Sequence, residues 1–411
     1  MGRLQMNTLR FLLIVISGGM FCSLSYGQNP LQIESKPWER IEIDSNRPGR
    51  ALLLFTADFN GDKHLDIATA GFWYEHSGDD LTQWKRHSLP AKANNVTWVG
   101  DIDKDGDIDI LATEWSGIEG KPTLIDRALN RLKIRKYDYQ QGRYGERFNW
   151  GENDGKGNFT WHYNIPDASG KFDFLQGTVD IETPTGTQIV LSWHDWKFPL
   201  EAYEIPKDPV NEPWRLVKLS DTTQGEEINS FDVDQDGLKD LLLGTVWMKN
   251  TGSSWEKKTF VDTDILPDRN VVADMNGDGR DDVVVGYEIV NTPGKLAWYE
   301  RQSDNAWKEN IISLDFIIGT SSVGVADVDM DSDMDVFVGE HNTKNEKSAR
   351  LFWFENLKGD GTEWMGHLIY LGDEHHNGTV PVDLDKDGDM DVVSIGFRHH
   401  KVVAYINPTI P

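Results

Sequence analysis

The chain has 411 residues and a formal net charge of −27, with 68 acidic against 41 basic side chains. So large an acidic excess disfavours nucleic acid and anionic membrane surfaces as partners and favours solubility. The one cysteine, Cys22, lies within the first 27 residues, so a chain without that segment has no disulfide or thiol chemistry to draw on.

Residues 1–27 read as an export signal. Arg3 and Arg10 bracket a charged start, Phe11 to Ile16 form an apolar stretch, and Ser25-Tyr26-Gly27 offers small residues where a signal peptidase cuts. Bulky Phe21 before Cys22 argues against a lipoprotein, and no apolar run reaches the roughly 18 residues that a spanning helix needs. The expectation is a periplasmic or secreted protein whose residues 28–411 form one domain. Losing Arg3 and Arg10 takes the charge from −27 to −29.

An acidic nine-residue segment then recurs six times: DFNGDKHLD from Asp58, DIDKDGDID from Asp101, DVDQDGLKD from Asp232, DMNGDGRDD from Asp274, DVDMDSDMD from Asp327 and DLDKDGDMD from Asp383. Short apolar stretches flank each copy, as in Val96 to Val99 before and Ile108 to Ala112 after, which predicts strand, loop, strand. An aromatic-rich third strand follows (Phe72-Trp73-Tyr74, Ala297-Trp298-Tyr299, Phe352-Trp353-Phe354), then a fourth such as Trp84-Lys85-Arg86-His87. Four strands per repeat describe a propeller blade.

Successive segments start 43, 131, 42, 53 and 56 residues apart, so the interval from Asp101 to Asp232 hides a further unit. Gly177-Thr178-Val179-Asp180-Ile181-Glu182, followed by Ile189-Val190-Leu191, keeps the strand pattern of a repeat without its ligands. The fold class is therefore all-β, a seven-bladed β-propeller. Its last blade, ending at Val402-Val403-Ala404-Tyr405, lacks a fourth strand that Pro37-Trp38-Glu39-Arg40-Ile41-Glu42-Ile43 can supply, closing the ring without an open edge.

Oxygen side chains at positions 1, 3, 5 and 9 of a tight loop, with the carbonyl of position 7, suit Ca²⁺, a hard cation that takes six to eight oxygens. The expected ligands are Asp58, Asn60, Asp62 and Asp66; Asp101, Asp103, Asp105 and Asp109; Asp232, Asp234, Asp236 and Asp240; Asp274, Asn276, Asp278 and Asp282; Asp327, Asp329, Asp331 and Asp335; and Asp383, Asp385, Asp387 and Asp391. Several carboxylates in one turn repel each other unless a divalent ion neutralises them. An EF-hand would need Glu at position 12, where the chain has Thr69, Ala112, Leu243, Val285, Val338 and Ser394. The alternative is a set of solvated acidic turns. In the Asp327 segment Met330 and Ser332 stand where sister segments carry glycine, which predicts strain.

These segments resemble the FG-GAP/VCBS repeats of integrin α-subunit propellers and of exported bacterial proteins. The resemblance implies structural calcium at the bottom face and says almost nothing about function. It also implies that the opposite face carries the loops entering each first strand and leaving each second strand. Those loops hold six of the 11 histidines: His194, His341, His375, His376, His399 and His400. Histidine is the usual general base near neutral pH and a common metal ligand, and a divalent metal among these side chains is a further expectation. A basic insertion at 117–147 in the second blade is an additional candidate cover for an anionic ligand.

His375-His376-Asn377-Gly378 running into Val382-Asp383-Leu384-Asp385 resembles the entry to a metal loop in the propeller of aldos-2-ulose dehydratase, and the whole chain resembles the propeller dehydratases and lyases encoded with ulvan-degradation genes in marine bacteria. The resemblances imply a carbon–oxygen lyase that eliminates across uronate-containing oligosaccharides. On that reading His375, His376, His341 and His194 are catalytic candidates, and Arg50, Arg269, Arg398, Trp115 and Trp247 bind an acidic saccharide. The competing reading is a non-catalytic propeller that binds glycan or protein. No G-x-S-x-G elbow is present, and several of the 16 tryptophans recur at equivalent blade positions, as core residues would.

Overall fold

The computed structural model describes residues 37–49, 51–76, 78, 80–115, 146–171, 173–224, 226–263, 265, 267–289, 291–302, 306–376, 379–397 and 399–409, with the backbone alone of 13–16, 19–22, 33–35, 115, 146, 288 and 289. The expected signal and basic insertion lie almost wholly outside these residues. Within them, besides a two-stranded pairing of Leu13–Ile16 with Gly19–Cys22, the chain forms seven blades, each built on four antiparallel strands that follow sequence order in the first six. The second to sixth blades begin at Asn95, Leu175, Asn229, Arg269 and Thr320, and the first at Leu54.

The seventh blade is completed as the sequence predicts. Val380–Val382, Asp391–Ile395 and Val402–Ile406 are joined by Glu39–Asp44, which pairs antiparallel with Val402–Ile406. Side chains reinforce this closure. Asp373, almost fully buried, accepts from Arg40 Nε at 2.7 Å, from Lys401 Nζ at 2.7 Å and from the Tyr405 hydroxyl at 3.2 Å. The third blade also matches expectation: Leu175–Thr183 and Gly186–Trp193 form a hairpin without an acidic loop. Ile33–Ser35, which the sequence pattern does not announce, adds a parallel fifth strand beside Gly366–Leu368.

The sixth blade shows how burial follows the strand pattern. Its second strand, Asp335–Glu340, is buried throughout, whereas the outer strand Trp255–Thr259 of the fourth blade is largely exposed. Tryptophans of the third strands stack on histidines of the fourth: Trp73 on His87 at 4.1 Å, Trp150 on His162 at 4.6 Å and Trp353 on His367 at 4.2 Å. In each case the histidine Nε2 bonds a glutamate two residues after the tryptophan, Glu75, Glu152 or Glu355, at 2.6–2.7 Å. Each buried indole withdraws roughly 150–250 Å² from water, on the order of 4 kcal/mol. Three of the histidines are therefore packing residues.

The ninth residue of every acidic segment ties a blade together. Asp66, Asp109, Asp240, Asp282, Asp335 and Asp391 are buried, and each accepts two backbone N–H bonds. One comes from the second residue of its own segment at 2.8–3.1 Å. The other comes from the end of the third strand at 2.7–2.8 Å. Side chains at that strand end then cross to the preceding blade: Asn153 to the Phe59 carbonyl at 2.8 Å, Asn356 to Met275 at 3.0 Å, Asn407 to Val328 at 2.8 Å, and Arg301 to Val233. Asn250 instead bonds Lys239 within its own blade, because the third blade offers no acidic loop.

Around the axis the first strands of five blades, with Glu227 and Ile228 at the entry to the fourth, line a cavity of about 270 Å³, with Phe55, Val271, Val323 and Val380 in its wall and Arg269 and Gln176 among its polar lining. Neighbouring blades approach closely there. A Cβ on Gly177 would meet the Ile228 nitrogen at 3.0 Å, so only glycine permits this contact.

The closure predicts a pH response. Hydrogen bonds and charge from Lys401 and Arg40 outweigh burial and hold the Asp373 carboxyl down at about 2, below its ordinary 3.8. The resulting stability, on the order of 2 kcal/mol, should be complete above about pH 4 and lost as pH falls toward 2. Asp373→Asn should therefore lower the urea midpoint at pH 7 and converge with the native chain near pH 2; equal loss at both pH values would refute the ion-pair account.

Candidate functional site

The acidic segments fold as the sequence predicts, as successive turns around their own carboxylates. Asp101 accepts from the Asp105 and Gly106 nitrogens at 3.1 Å, and Asp105 accepts from Asp107 N at 2.9 Å. Carboxylate oxygens of Asp101, Asp103 and Asp109 all lie within 4.8 Å of one another, as do those of Asp232, Asp234 and Asp240, of Asp327, Asp329 and Asp335, and of Asp383, Asp385 and Asp391. Asn60 and Asn276 take the third position in the other two segments and present amide oxygens there. Burial, opposed by the two backbone bonds, pushes Asp109, Asp282 and Asp391 up to about 7. Carboxyl groups so hard to ionise fit a nearby cation. In the fourth blade Lys249 bonds Asp234, and Asp236 at 2.6 Å, so an ammonium already meets that segment's charge.

Strain in these loops is distributed differently from expectation. The fourth position adopts positive φ in all six, with Lys104, Gln235 and Lys386 as non-glycine residues there besides Met330. At the sixth position Ser332 has φ 78° and Lys63 has φ 70°, where the other four loops use glycine.

At the other end of the blades, residues from five of them meet. His194 leaves the second strand of the third blade and its Nδ1 bonds Glu226, at the entry to the fourth. Arg269 opens the fifth blade with its side chain only 4% exposed. Its Nη1 lies 3.6 Å from Glu226 and 3.5 Å from Asp268. Its Nε donates to the Ser321 carbonyl at 3.1 Å and its Nη2 to Gln176 Oε1 at 3.4 Å. His341 leaves the second strand of the sixth blade, 3.4 Å from Glu374 at the entry to the seventh, and its ring lies 4.5 Å from that of His376. Glu226 has φ 58°, a strained conformation for a non-glycine residue that the surrounding contacts must hold.

The histidines occupy different charge states. Its hydrogen bond to Glu226 raises His194 to about 9, so it is an imidazolium at neutral pH. Burial, with the charges of His341, Arg269 and His194, holds His376 well below its ordinary value, so it is a neutral imidazole. Its Nδ1 has no hydrogen-bond partner among the described residues, and its backbone nitrogen is fixed to the Ile395 carbonyl at 3.1 Å. A neutral base therefore sits within the electrostatic reach of two cations.

Other predicted residues are placed elsewhere. His375 is fully buried behind this cluster, with Nδ1 on the Ser394 hydroxyl at 2.7 Å and burial lowering it to about 3, so it supports the loop from inside. Trp247, expected to bind a saccharide, packs in the core with Phe231, Val283 and Tyr299, because its strand is covered by the fifth blade. His399 donates to the Glu374 carbonyl at 2.8 Å and accepts from Lys401 N at 3.2 Å, a bracing role. Arg50, Arg398 and the Trp115 side chain lie outside the described residues. Among the described residues no group of three converging metal-ligating side chains includes a histidine, so the expected top-face metal has no ready ligand set. The sequence pattern does not point to Glu226 or Gln176, although each lies in or beside a loop entering a first strand, and it gives Glu374 no role beyond its place in such a loop.

The class of protein is thus defined: an all-β, seven-bladed β-propeller with its mixed His, Arg and Glu cluster at the mouth of the axis. Residues 274–338, from the fifth blade's acidic segment through the second strand of the sixth blade, match the FG-GAP-like repeat family, and the chain carries that repeat. No curated protein matches it. Among solved structures, BBS1N in complex with ARL6DN has TM-score 0.52 at 7% identity, over 91% of this chain and 98% of that one. Rhamnogalacturonan lyase of Bacillus licheniformis gives 0.48 at 14%, over 95% and 80%, and an ancestral GH74 enzyme gives 0.45 at 12%, over 91% and 45%. At such identities the likeness is one of fold.

The strained sixth position gives a direct test. Ser332→Gly should relieve a left-handed conformation costing about 1 kcal/mol, partly offset by the freedom glycine gains on unfolding. A Tm increase of roughly 1–3 °C is expected by calorimetry; an unchanged or lower Tm would show that the serine is not strained.

Proposed function

We propose that the protein is a carbohydrate-active lyase that performs β-elimination on uronate-containing oligosaccharides, ulvan-derived chains included. The observation that carries this reading is neutral His376, whose buried Nδ1 has no partner among the described residues, within electrostatic reach of the Arg269 guanidinium and the His194 imidazolium. Removing a proton next to a carboxylate needs a base that is not already protonated and fixed positive charge where the enolate-like intermediate develops. His376 takes the proton from the carbon beside the substrate carboxylate, and Arg269 with His194 stabilises the negative charge that forms. The electron pair becomes the new carbon–carbon double bond as the bond to the leaving oxygen breaks. His194 delivers the proton to that oxygen. An anionic substrate raises the basicity of His376, because bound negative charge favours imidazolium.

The test is ultraviolet absorbance of the unsaturated uronate during incubation with ulvan oligosaccharides. His376→Ala should lower turnover at least 100-fold in protein that circular dichroism shows to be folded at the assay temperature, in line with removal of a general base. The high-pH limb should lie near pH 9, where His194 loses its proton, and Glu226→Gln should shift it toward the ordinary histidine value of about 6.5. A protein that binds these chains without forming product would support the non-catalytic reading.

The acidic segments are proposed as structural Ca²⁺ sites and residues 1–27 as an export signal. The convergent carboxylates support the first, and the hydrophobic core of the signal pattern supports the second. Chelation at pH 7.5 should lower Tm by several degrees and added Ca²⁺ restore it, since a ligand that binds only the folded state stabilises it by mass action. Asp335→Asn should abolish only part of that response. A chelator without effect would leave the segments as solvated acidic turns.

A further inference from the structure

We propose that Trp196 and Lys197 form a saccharide subsite beside the cluster, where the indole stacks on a pyranose ring and the ammonium meets its carboxylate or sulfate. The inference rests on the reading of the site as one for acidic oligosaccharides, and it assigns a specificity residue outside the saccharide-binding set expected from the sequence. Trp196 is 51% exposed, whereas the other tryptophans with described side chains are buried or half-buried. An indole left in water forgoes stabilisation on the order of several kcal/mol that its buried counterparts supply. Such exposure has a use where a flat apolar face must be presented to a ligand.

The backbone beneath the indole is held at several points. His194 N bonds the Phe174 carbonyl at 2.9 Å, and Asp195 N bonds the buried Asp173 carboxylate at 2.6 Å. Asp195 in turn accepts from Lys197 N at 3.1 Å through its side chain and from Phe198 N at 3.0 Å through its carbonyl. Thr223 N then bonds the Phe198 carbonyl at 3.0 Å, tying the turn to the segment that leads to Glu226. A ring presented on a turn fixed in this way loses little freedom when a sugar stacks on it. Lys197 Nζ lies over the indole, 5.7 Å from its centroid, and 3.7 Å from Asp195 Oδ2; its side chain is 69% exposed, so it can exchange that loose pairing for an anionic group on the sugar. Trp196 lies two residues from His194, the proposed proton donor, on the same turn.

The experiment compares native protein with Trp196→Ala, Trp196→Phe, Lys197→Ala and His376→Ala, using ulvan-derived tetrasaccharide in calorimetric titration and in the absorbance assay. Trp196→Ala should weaken binding and raise KM at least 10-fold with kcat and Tm little changed, Trp196→Phe should recover most of that loss, and Lys197→Ala should weaken only the charged oligosaccharide relative to its carboxyl-reduced form. His376→Ala should bind normally and fail to turn over. Unaltered affinity in Trp196→Ala, with native turnover, would overturn the subsite and leave the elimination reading standing. Trp196-dependent binding without product from the native protein would keep the subsite and defeat elimination. Absence of binding by the native protein would defeat both.

Discussion

The architecture depends on a carboxylate that is both buried and bonded. The ninth aspartate of each acidic segment receives one N–H from its own loop and one from the end of the third strand, so a single side chain closes the turn and locks it to the sheet. Burying an unpaired carboxylate would be prohibitively unfavourable, and two charge-assisted hydrogen bonds make it tolerable. In four of the loops oxygens of two other acidic residues lie within 4.8 Å of the ninth aspartate, so a cation there would reinforce the brace. Asn153, Asn356, Asn407 and Arg301 then carry the same restraint from blade to blade.

A ring braced at one end leaves the other end free to vary. Apart from Asp373, which braces the closing strand, the loops entering first strands and leaving second strands carry little of the closure, and the His, Arg and Glu cluster is assembled from them. No single blade holds enough of it to act: His194 comes from the third, Glu226 from the fourth, Arg269 from the fifth, His341 from the sixth and His376 from the seventh. Their relative positions are set by how neighbouring blades pack, as the close approach of Gly177 to the fourth blade illustrates. Rigid convergence of this kind suits a site that must hold charges in place before substrate arrives.

The chemistry proposed for the cluster follows from unequal environments of like residues. Glu226 keeps His194 protonated, whereas burial and neighbouring cations keep His376 neutral. One residue type thereby provides an acid and a base at a single pH, the arrangement that elimination requires. His375, adjacent in sequence to His376, points instead to Ser394 and serves the loop that carries its neighbour.

The seven-bladed ring, the closing strand and the carboxylate loops were legible in the amino-acid order, because strand periodicity and the spacing of acidic residues are local properties that survive any tertiary arrangement. The same holds for the ligand-free third blade, whose apolar stretches kept their spacing. What the tertiary structure alone decided was which side chains meet. That Trp247 faces the core while Trp196 faces solvent depends on which strand the adjacent blade covers. That His87, His162 and His367 serve packing, and that Glu226 sets the charge of His194, depends on partners 10 to 32 residues away along the chain. Electrostatic character is a property of surroundings, and surroundings exist only once the blades have closed.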